Sequence, residues 1–166
     1  LARPSVVSPP ARRGPLPSVL GEPSRRAAAA SCLKPWRGPR IVATPLDCGW
    51  SDMKAGGGAV PVRVHHGMAD GWRAIYHGVT GSPPRYALGA LLLNWHDPSK
   101  VRARSREPIL VPEAPYEREG FFGSVVFTCG ALNDGDLVRI YYGAADGVTA
   151  VAELSLQQIL SGLVEA

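Results

Sequence analysis

A lysine followed by three glycines is the first feature of the sequence that could bind an anion. Residues 54–61 (KAGGGAVP) combine one ammonium group with glycines, whose amides can approach an anion closely. A dinucleotide fingerprint needs a glycine that opens a helix, and a P-loop needs its lysine after the last glycine. Here Lys54 precedes the glycines and a strand is predicted to follow. Two interpretations remain: a structural turn, or a turn whose lysine faces an anionic substrate.

Histidines and carboxylates are the other candidates for binding or acid–base chemistry. His65 and His66 are adjacent, so in a strand they would point to opposite faces and could not share a metal ion. His77 ends a predicted strand, where a structural hydrogen bond and a place in a ligand pocket are both open. Three carboxylates lie close to predicted strand ends: Glu117, Glu119 and Asp146. The G-x-S-x-G and H-E-x-x-H hydrolase signatures are absent.

Short apolar runs separated by turn signals must position these residues. The runs at 60–64 and 72–77 flank Asp70-Gly71 and predict a hairpin. Residues 86–94 and the short edge-like run 109–111 complete a predicted four-stranded sheet.

A second set of strands follows, and it resembles the first. Its members are predicted at 124–131, 137–143 and 148–153, and Ser155 is a predicted N-cap for a helix ending at Leu163. Residues 75–78 (IYHG) and 140–143 (IYYG) each follow a glycine-containing turn. Repeated four-stranded units are typical of the blades of a β-propeller. The sequence therefore predicts an all-β fold of propeller type.

The charge and the proline content divide the chain into two parts. Residues 1–30 contain five arginines, one glutamate, six prolines and no aromatic residue, so we expect a disordered tail. This tail could be an organelle transit peptide or a non-native extension. It accounts for the whole formal charge of +4, so residues 31–166 are neutral and give no electrostatic case for nucleic acid.

The cysteines and the lengths of the apolar runs indicate where in the cell the protein is located. Cys32, Cys48 and Cys129 are odd in number and form no C-x-x-C pair, so neither a disulfide framework nor a metal site is predicted. No apolar run reaches the roughly 18 residues of a membrane span. We therefore expect reduced thiols and a cytoplasmic protein.

Five blocks of the sequence, in order, resemble the β-1,4-mannosyl phosphorylases and β-mannosidases of glycoside hydrolase family 130. The blocks are WSDMKAGGGAVP at 50–61, GWRAIYHGV at 71–79, YALGALLLNWHDPSKV at 86–101, PYEREGFFGSVVFTCG at 115–130 and YYGAAD at 141–146. The resemblance covers about residues 31–163 and implies the last two blades of a five-bladed propeller with a short C-terminal helix. It implies an inverting reaction in which inorganic phosphate attacks the anomeric carbon and releases mannose 1-phosphate.

The resemblance also implies roles for particular residues. Lys54 and His77 would lie beside phosphate, and Tyr76, Asp146 and, more weakly, Glu119 would contact the sugar. No residue here matches the catalytic acid, an aspartate that the family carries on an earlier blade. The sequence 122–124 (FGS) departs from the family's usual valine, proline and asparagine, which leaves the sugar contacts of that loop open.

The sequence thus predicts a carbohydrate-active fragment that uses a β-mannoside and phosphate, needs no cofactor or metal, and could form a homo-oligomer. Because the catalytic acid is unmatched, we expect the fragment alone to be inactive. The alternative is a non-catalytic propeller remnant that binds sugar weakly or needs a partner chain. An RNA-binding protein that uses the arginine-rich tail is a third hypothesis, resting on unstructured sequence.

Overall fold

The computed structural model describes residues 5–6, 40–65 and 69–166, and in these ranges the chain is mostly β-strand, as the sequence predicts. The described residues of 1–7 and 41–166 belong to one compact unit. The strands are β1 (Ser5–Val6), β2 (Lys54–Gly57), β3 (Val62–Val64), β4 (Gly71–Thr80), β5 (Arg85–Leu93), β6 (Val101–Ser105), β7 (Val126–Asp134), β8 (Leu137–Ala144), β9 (Val148–Ser155) and β10 (Leu163–Glu165). Two short helices accompany them in the same ranges: α1 (Pro115–Arg118) and α2 (Leu156–Ser161).

The strands form two antiparallel sheets. The first sheet has the order β10-β6-β5-β4-β2, and β3 also pairs with β4. The second sheet has the order β1-β9-β8-β7. The predicted hairpin around Asp70-Gly71 is confirmed, because Val64 of β3 pairs with Gly71 of β4.

One hydrophobic core joins the two sheets. It contains Ile75 of β4 and Leu88 of β5 from the first sheet, and Val126, Ile140 and Tyr142 from the second. Side chains alternate between the faces of a strand, so residues one position away from this set lie on the other face. The repeated motifs at 75–78 and 140–143 thus each contribute an isoleucine to the same core.

The other face of the first sheet has its own apolar cluster. Tyr76, Leu91 and Leu93 are buried there, and Trp50 packs against them. The indole of Trp50 lies over Gly78 and Gly89, where a Cβ would come within 2.5 Å and 2.4 Å of its ring atoms. Since both faces of β5 are covered, its residues from Ala87 to Leu93 are all buried.

A buried arginine connects the sheets away from the candidate site. Arg73 of β4 is almost fully buried, and its Nη2 donates a hydrogen bond of 2.7 Å to Oδ1 of Asn133 in β7. Burial lowers the pKa of Arg73 to about 10.

The fourth strand of the first sheet was predicted at the wrong place. Residues 109–111 form no extended strand, and Leu110 makes only an isolated bridge with Leu88. The strand beside β5 is β6, with the sequence VRARS. The two arginines of this sequence obscure its apolar pattern. In the structure the charge of Arg104 is accommodated by hydrogen bonds to the carbonyl of Thr44 and to Ser51 Oγ.

Two further predictions need correction. The glycine-rich segment was interpreted as a turn, but residues 54–57 form β2 and pair with β4. The C-terminal helix starts as predicted, with Ser155 Oγ accepting from Gln158 N, yet it ends before Gly162. Residues 163–165 instead form β10, because the edge of β6 is free to pair with them. Helix α1, which begins at Pro115, was not predicted at all.

The predicted disordered tail, residues 1–30, lies almost entirely outside the described residues. The exception is β1, which departs from that prediction by pairing with β9 through Ser5 and Val151. Cys48 and Cys129 are exposed free thiols. No helix in the described ranges is long and apolar enough to span a membrane.

Candidate functional site

A backbone bridge joins the two sheets at one of their ends, where strand ends from both come together. Tyr86, near the start of β5, forms a parallel bridge with Val125, and its amide donates to the carbonyl of Ser124 over 3.0 Å. Val126 of β7 pairs with Ala144 of β8, so the turn between β8 and β9 lies at this end. Lys54 also lies at this end, because it pairs with Val79 near the end of β4. We call the loop 119–124 and the turn 145–147 the rim.

Lys54 and His77 are neighbours on paired strands. Lys54 is exposed, whereas His77 is only 5% exposed and pairs with Gly56. Nδ1 of His77 lies 3.1 Å from the carbonyl oxygen of Gly57. A carbonyl only accepts, so Nδ1 carries the proton and donates, which leaves Nε2 of the neutral ring as an acceptor.

Burial keeps His77 neutral. Desolvation lowers the pKa of His77, the hydrogen bond to Gly57 opposes that effect, and the positive charge of Lys54 lowers the pKa further. Lys54 pairs with Val79 and Gly56 pairs with His77, so the side chains of Lys54 and His77 lie on the same face of the paired strands. Nε2 is buried and has no hydrogen-bond partner among the described residues.

The glycine-rich strand is shaped by the histidine ring. A Cβ on Gly56 would lie 2.4 Å from both Cε1 and Nε2 of His77, so only glycine fits under the imidazole. A Cβ on Gly58 would lie 2.8 Å from the carbonyl oxygen of Ile75 and 3.0 Å from Cγ2 of Thr128. These glycines therefore permit close packing of strands, which differs from the anion-cradling role considered for them.

Aromatic residues that the sequence analysis did not assign surround His77. Its ring centroid is 4.5 Å from that of Phe127 and 6.0 Å from that of Tyr86. The edge of Phe122 meets the Tyr86 ring with centroids 6.1 Å apart. The block match contained these residues, but only the pairing of the two sheets shows that they share a site with His77.

Tyr76 lies on the opposite face of β4 from His77, as adjacent strand residues must. It is 4% exposed, and its ring centroid is 5.3 Å from that of Trp50. Its hydroxyl accepts a 2.9 Å hydrogen bond from Nε of Arg104, whose guanidinium lies 4.9 Å from the ring centroid. The structure therefore does not bring Tyr76 into the neighbourhood of Lys54 and His77.

The rim brings together the two exposed carboxylates, Glu119 and Asp146. The amide of Phe122 donates to the carbonyl of Ala145 over 3.1 Å, which fixes the loop against the turn. Ser124, Ala145 and Asp146 have φ values of +59°, +46° and +51° and are the described non-glycine residues with positive φ. Ala145 and Asp146 lie in the short hairpin loop between β8 and β9, where a tight turn requires positive φ. This turn holds Asp146 at the exposed edge of the second sheet.

Glu117, unlike Glu119, is a structural residue. It is buried, its Oε2 accepts from the amides of Glu113 and Ala114, and its Oε1 accepts from the Tyr142 hydroxyl over 2.5 Å. Burial, and then the hydrogen bond to Glu117, raise the pKa of Tyr142. A carboxylate with all these contacts is not available to a substrate.

Residues 119–123 and 146–147 of the rim are exposed. Cavities of about 250, 460 and 470 Å³ elsewhere in the described part of the chain are lined by other residues, including Gln158, Leu160 and Arg106. Neither Lys54 nor Asp146 lines any of the three. A closed binding pocket at the rim would need walls that these cavities do not provide.

A family model for β-1,4-mannooligosaccharide phosphorylases matches residues 28–165. The chain belongs to glycoside hydrolase family 130. The resemblance inferred from the five sequence blocks is therefore confirmed.

Individual relatives support the same family. The chain is 46% identical over 114 residues to a β-1,2-mannobiose phosphorylase of Listeria innocua. The aligned residues cover 68% of this chain and 31% of the relative. It is 34% identical over 132 residues to a β-1,4-mannooligosaccharide phosphorylase of Ruminococcus albus, covering 77% of this chain and 38% of the relative. The solved structure of the Listeria innocua enzyme with β-1,2-mannobiose matches with a TM-score of 0.66 and 39% identity, over 72% of this chain and 32% of that one.

The chain thus spans about a third of the length of the relatives that it matches. This partial coverage is consistent with a C-terminal portion of a family 130 protein.

Proposed function

We propose that this chain is the C-terminal portion of a five-bladed β-propeller phosphorylase that cleaves β-linked mannosides with inorganic phosphate. The observation that carries the proposal is that Lys54 of β2 and Asp146, in the turn after β8, lie at the same end of the two sheets. The two sheets with their shared core then correspond to the last two blades.

The chemistry of these side chains suits the two substrates. The flexible ammonium group of Lys54 suits the charge of phosphate. The carboxylates of Asp146 and Glu119 accept hydrogen bonds, which suits them to sugar hydroxyl donors. His77 contributes by positioning, because its ring lies on Gly56 and its Nδ1 holds β2, the strand that carries Lys54. Tyr76 lies on the face of β4 opposite His77 and packs against Trp50.

The catalytic acid lies outside this chain in the proposal. Glu117 is fully engaged in hydrogen bonds, while Asp146 and Glu119 are assigned to the sugar. The remaining two thirds of a family 130 protein would supply an aspartate, and phosphate would attack the anomeric carbon from the opposite side with inversion. No cofactor or metal is required, and cytoplasmic location and a homo-oligomeric state remain predictions.

The identities favour a β-1,2 linkage over the β-1,4 linkage inferred from the sequence blocks. Identity is 46% to the Listeria innocua β-1,2-mannobiose phosphorylase and 34% to the Ruminococcus albus β-1,4 enzyme. A mannoside of either linkage presents the same mannose unit to Asp146, so the linkage is decided by residues around the second sugar.

The competing function is a non-catalytic remnant that binds sugar weakly or pairs with another chain. The openness of the rim favours it, since an isolated chain with these faces exposed would seek a partner. Both functions predict the same residues in the site, and they differ in whether the remainder of a propeller is present when the protein works.

Phosphate binding by the purified chain tests the proposal through Lys54. The measurement is the ³¹P line width of inorganic phosphate titrated with wild type, Lys54→Ala and Lys100→Ala. Lys100 is a matched control, because it is an exposed lysine whose ammonium lies 3.8 Å from Asp97. A lost charge-assisted contact costs about 1.5–3 kcal/mol, so Lys54→Ala should weaken binding roughly 10- to 150-fold. Equal phosphate affinity in the two variants would contradict the proposed role of Lys54.

Turnover provides the second test. Monodisperse chain incubated with phosphate and either β-1,2- or β-1,4-mannobiose should form no mannose 1-phosphate, because general acid assistance alone contributes about 10²–10⁴-fold. Clear turnover by the monomer would show that the acid is within the chain. Glu119, Asp146 and Glu117 would then be the first residues to replace.

A further inference from the structure

The most exposed large apolar side chain of the described residues stands on the rim. Phe121 is 90% exposed, although its backbone neighbours are firmly held. The amide of Phe122 donates to Ala145, and the amide of Ser124 donates to the carbonyl of Arg118 over 3.2 Å. An apolar ring of this size normally gains stability from burial, so its exposure on an anchored loop marks a surface that a ligand or further protein would cover.

The loop is closely packed, so a loose backbone does not explain the exposure of Phe121. A Cβ on Gly120 would lie 2.4 Å from the carbonyl oxygen of Ala145, and a Cβ on Gly123 would lie 2.6 Å from that of Arg118. Both glycines on either side of the two phenylalanines are thus pressed against neighbouring backbone. The backbone of the loop is therefore held against its neighbours on both sides of Phe121.

The surroundings of Phe121 combine apolar and hydrogen-bonding groups. Glu119 precedes it in the loop, and Asp146 follows the residue that the loop packs against. Phe122, its neighbour, extends the aromatic surface to Tyr86. A pyranose ring has one face of C–H groups that is apolar and a perimeter of hydroxyls that donate hydrogen bonds. An exposed aromatic ring on the same rim as two carboxylates can complement both.

We propose that Phe121 is a stacking platform for a sugar ring of the mannoside and a specificity-determining residue of the rim. The proposal rests on the proposed function, because it takes the rim as the sugar side of the site. It assigns the apolar contact to Phe121 and the hydroxyl contacts to Asp146 and Glu119.

Saturation-transfer difference NMR on the 166-residue chain with β-1,2-mannobiose and phosphate tests this assignment, since the method detects millimolar binding. Phe121→Ala should weaken binding about tenfold, the size expected for one stacked aromatic contact, and should reduce saturation of the C–H face protons. Phe121→Tyr keeps the ring and should bind as wild type does. Leu132→Ala removes another exposed apolar side chain, 59% exposed on β7, and should change nothing.

The outcomes separate this inference from the proposed function. Equal affinity in Phe121→Ala and wild type, with binding lost in Asp146→Asn, would overturn the platform and leave the mannoside function standing. A change in oligomeric state in Phe121→Ala without a change in sugar affinity would assign Phe121 to an interface and overturn it as well. Wild type that fails to bind β-1,2- or β-1,4-mannobiose at millimolar concentration would overturn both.

Discussion

Replacing Gly56 by alanine tests whether the glycine-rich strand is shaped by His77. The new Cβ would lie 2.4 Å from Cε1 and Nε2 of the imidazole, so the ring must move. Gly57, the next residue of the same strand, provides a matched control, because a Cβ there would meet nothing within 4 Å. Neither glycine has a positive φ, so alanine strains the backbone at neither position.

The expected cost follows from two losses. Overpacking a well-packed site costs about 1–3 kcal/mol. A displaced ring also loses the hydrogen bond from Nδ1 to Gly57, worth about 0.5–1.5 kcal/mol. Gly56→Ala should therefore lower the free energy of unfolding by about 2–4 kcal/mol. Gly57→Ala should be neutral or stabilise by up to about 1 kcal/mol, because it restricts the unfolded chain.

Urea unfolding followed by tryptophan fluorescence measures these free energies, and a double-mutant cycle identifies the cause. In a His77→Ala background the ring is gone, so Gly56→Ala should cost no more than Gly57→Ala does. The same cost for Gly56→Ala with and without His77 would refute the reasoning, as would equal stability of the two glycine variants. Either result would mean that Gly56 is chosen for some property other than the contact with His77.

Three further outcomes are expected. Tyr142→Phe leaves the buried Glu117 without one donor and should cost about 1–3 kcal/mol in thermal or urea unfolding, whereas Tyr141→Phe on the exposed face should cost almost nothing. Because burial lowers the pKa of His77 below its usual 6.5, the unfolded chain binds the proton more readily. Wild type should then lose stability as pH falls below about 6.5, and His77→Asn should lose less over that window. Ser155→Ala removes the N-cap of α2 and should cost about 1 kcal/mol, measured in the same way.

The strands with clear apolar alternation could be predicted from the sequence, and the others could not. β4, β5, β7, β8 and β9 were each predicted to within a few residues, because their hairpin turns contain glycine between apolar runs. β6 was missed because its arginines mask the alternation, and their charges are satisfied only by groups far away in sequence such as Thr44. β10 was missed because residues 163–165 form a strand only by pairing with the edge of β6, which their own sequence does not indicate.

The candidate site was partly predictable for a related reason. Sequence blocks identified Lys54, His77, Asp146 and Glu119 one at a time, through resemblance. Which of them share a neighbourhood depends on how the two sheets pair near Tyr86, and no local pattern encodes that. The aromatic surface around His77 was overlooked for the same reason, since a phenylalanine near an apolar strand is ordinarily a core residue.

The opposite orientations of Tyr76 and His77 constrain what their shared motif can do. His77 faces the second sheet and holds the strand of Lys54, whereas Tyr76 faces Trp50 and is bound by Arg104. A change at Tyr76 can therefore reach Lys54 only through the backbone of β4. Tyr76→Phe, which keeps the ring and loses only the hydrogen bond from Arg104, should leave phosphate binding intact while lowering stability. If phosphate binding fell as far as it does in Lys54→Ala, the hydroxyl of Tyr76 would have to reach the ligand. That result would contradict the placement of Tyr76 against Trp50, on the face of β4 away from Lys54.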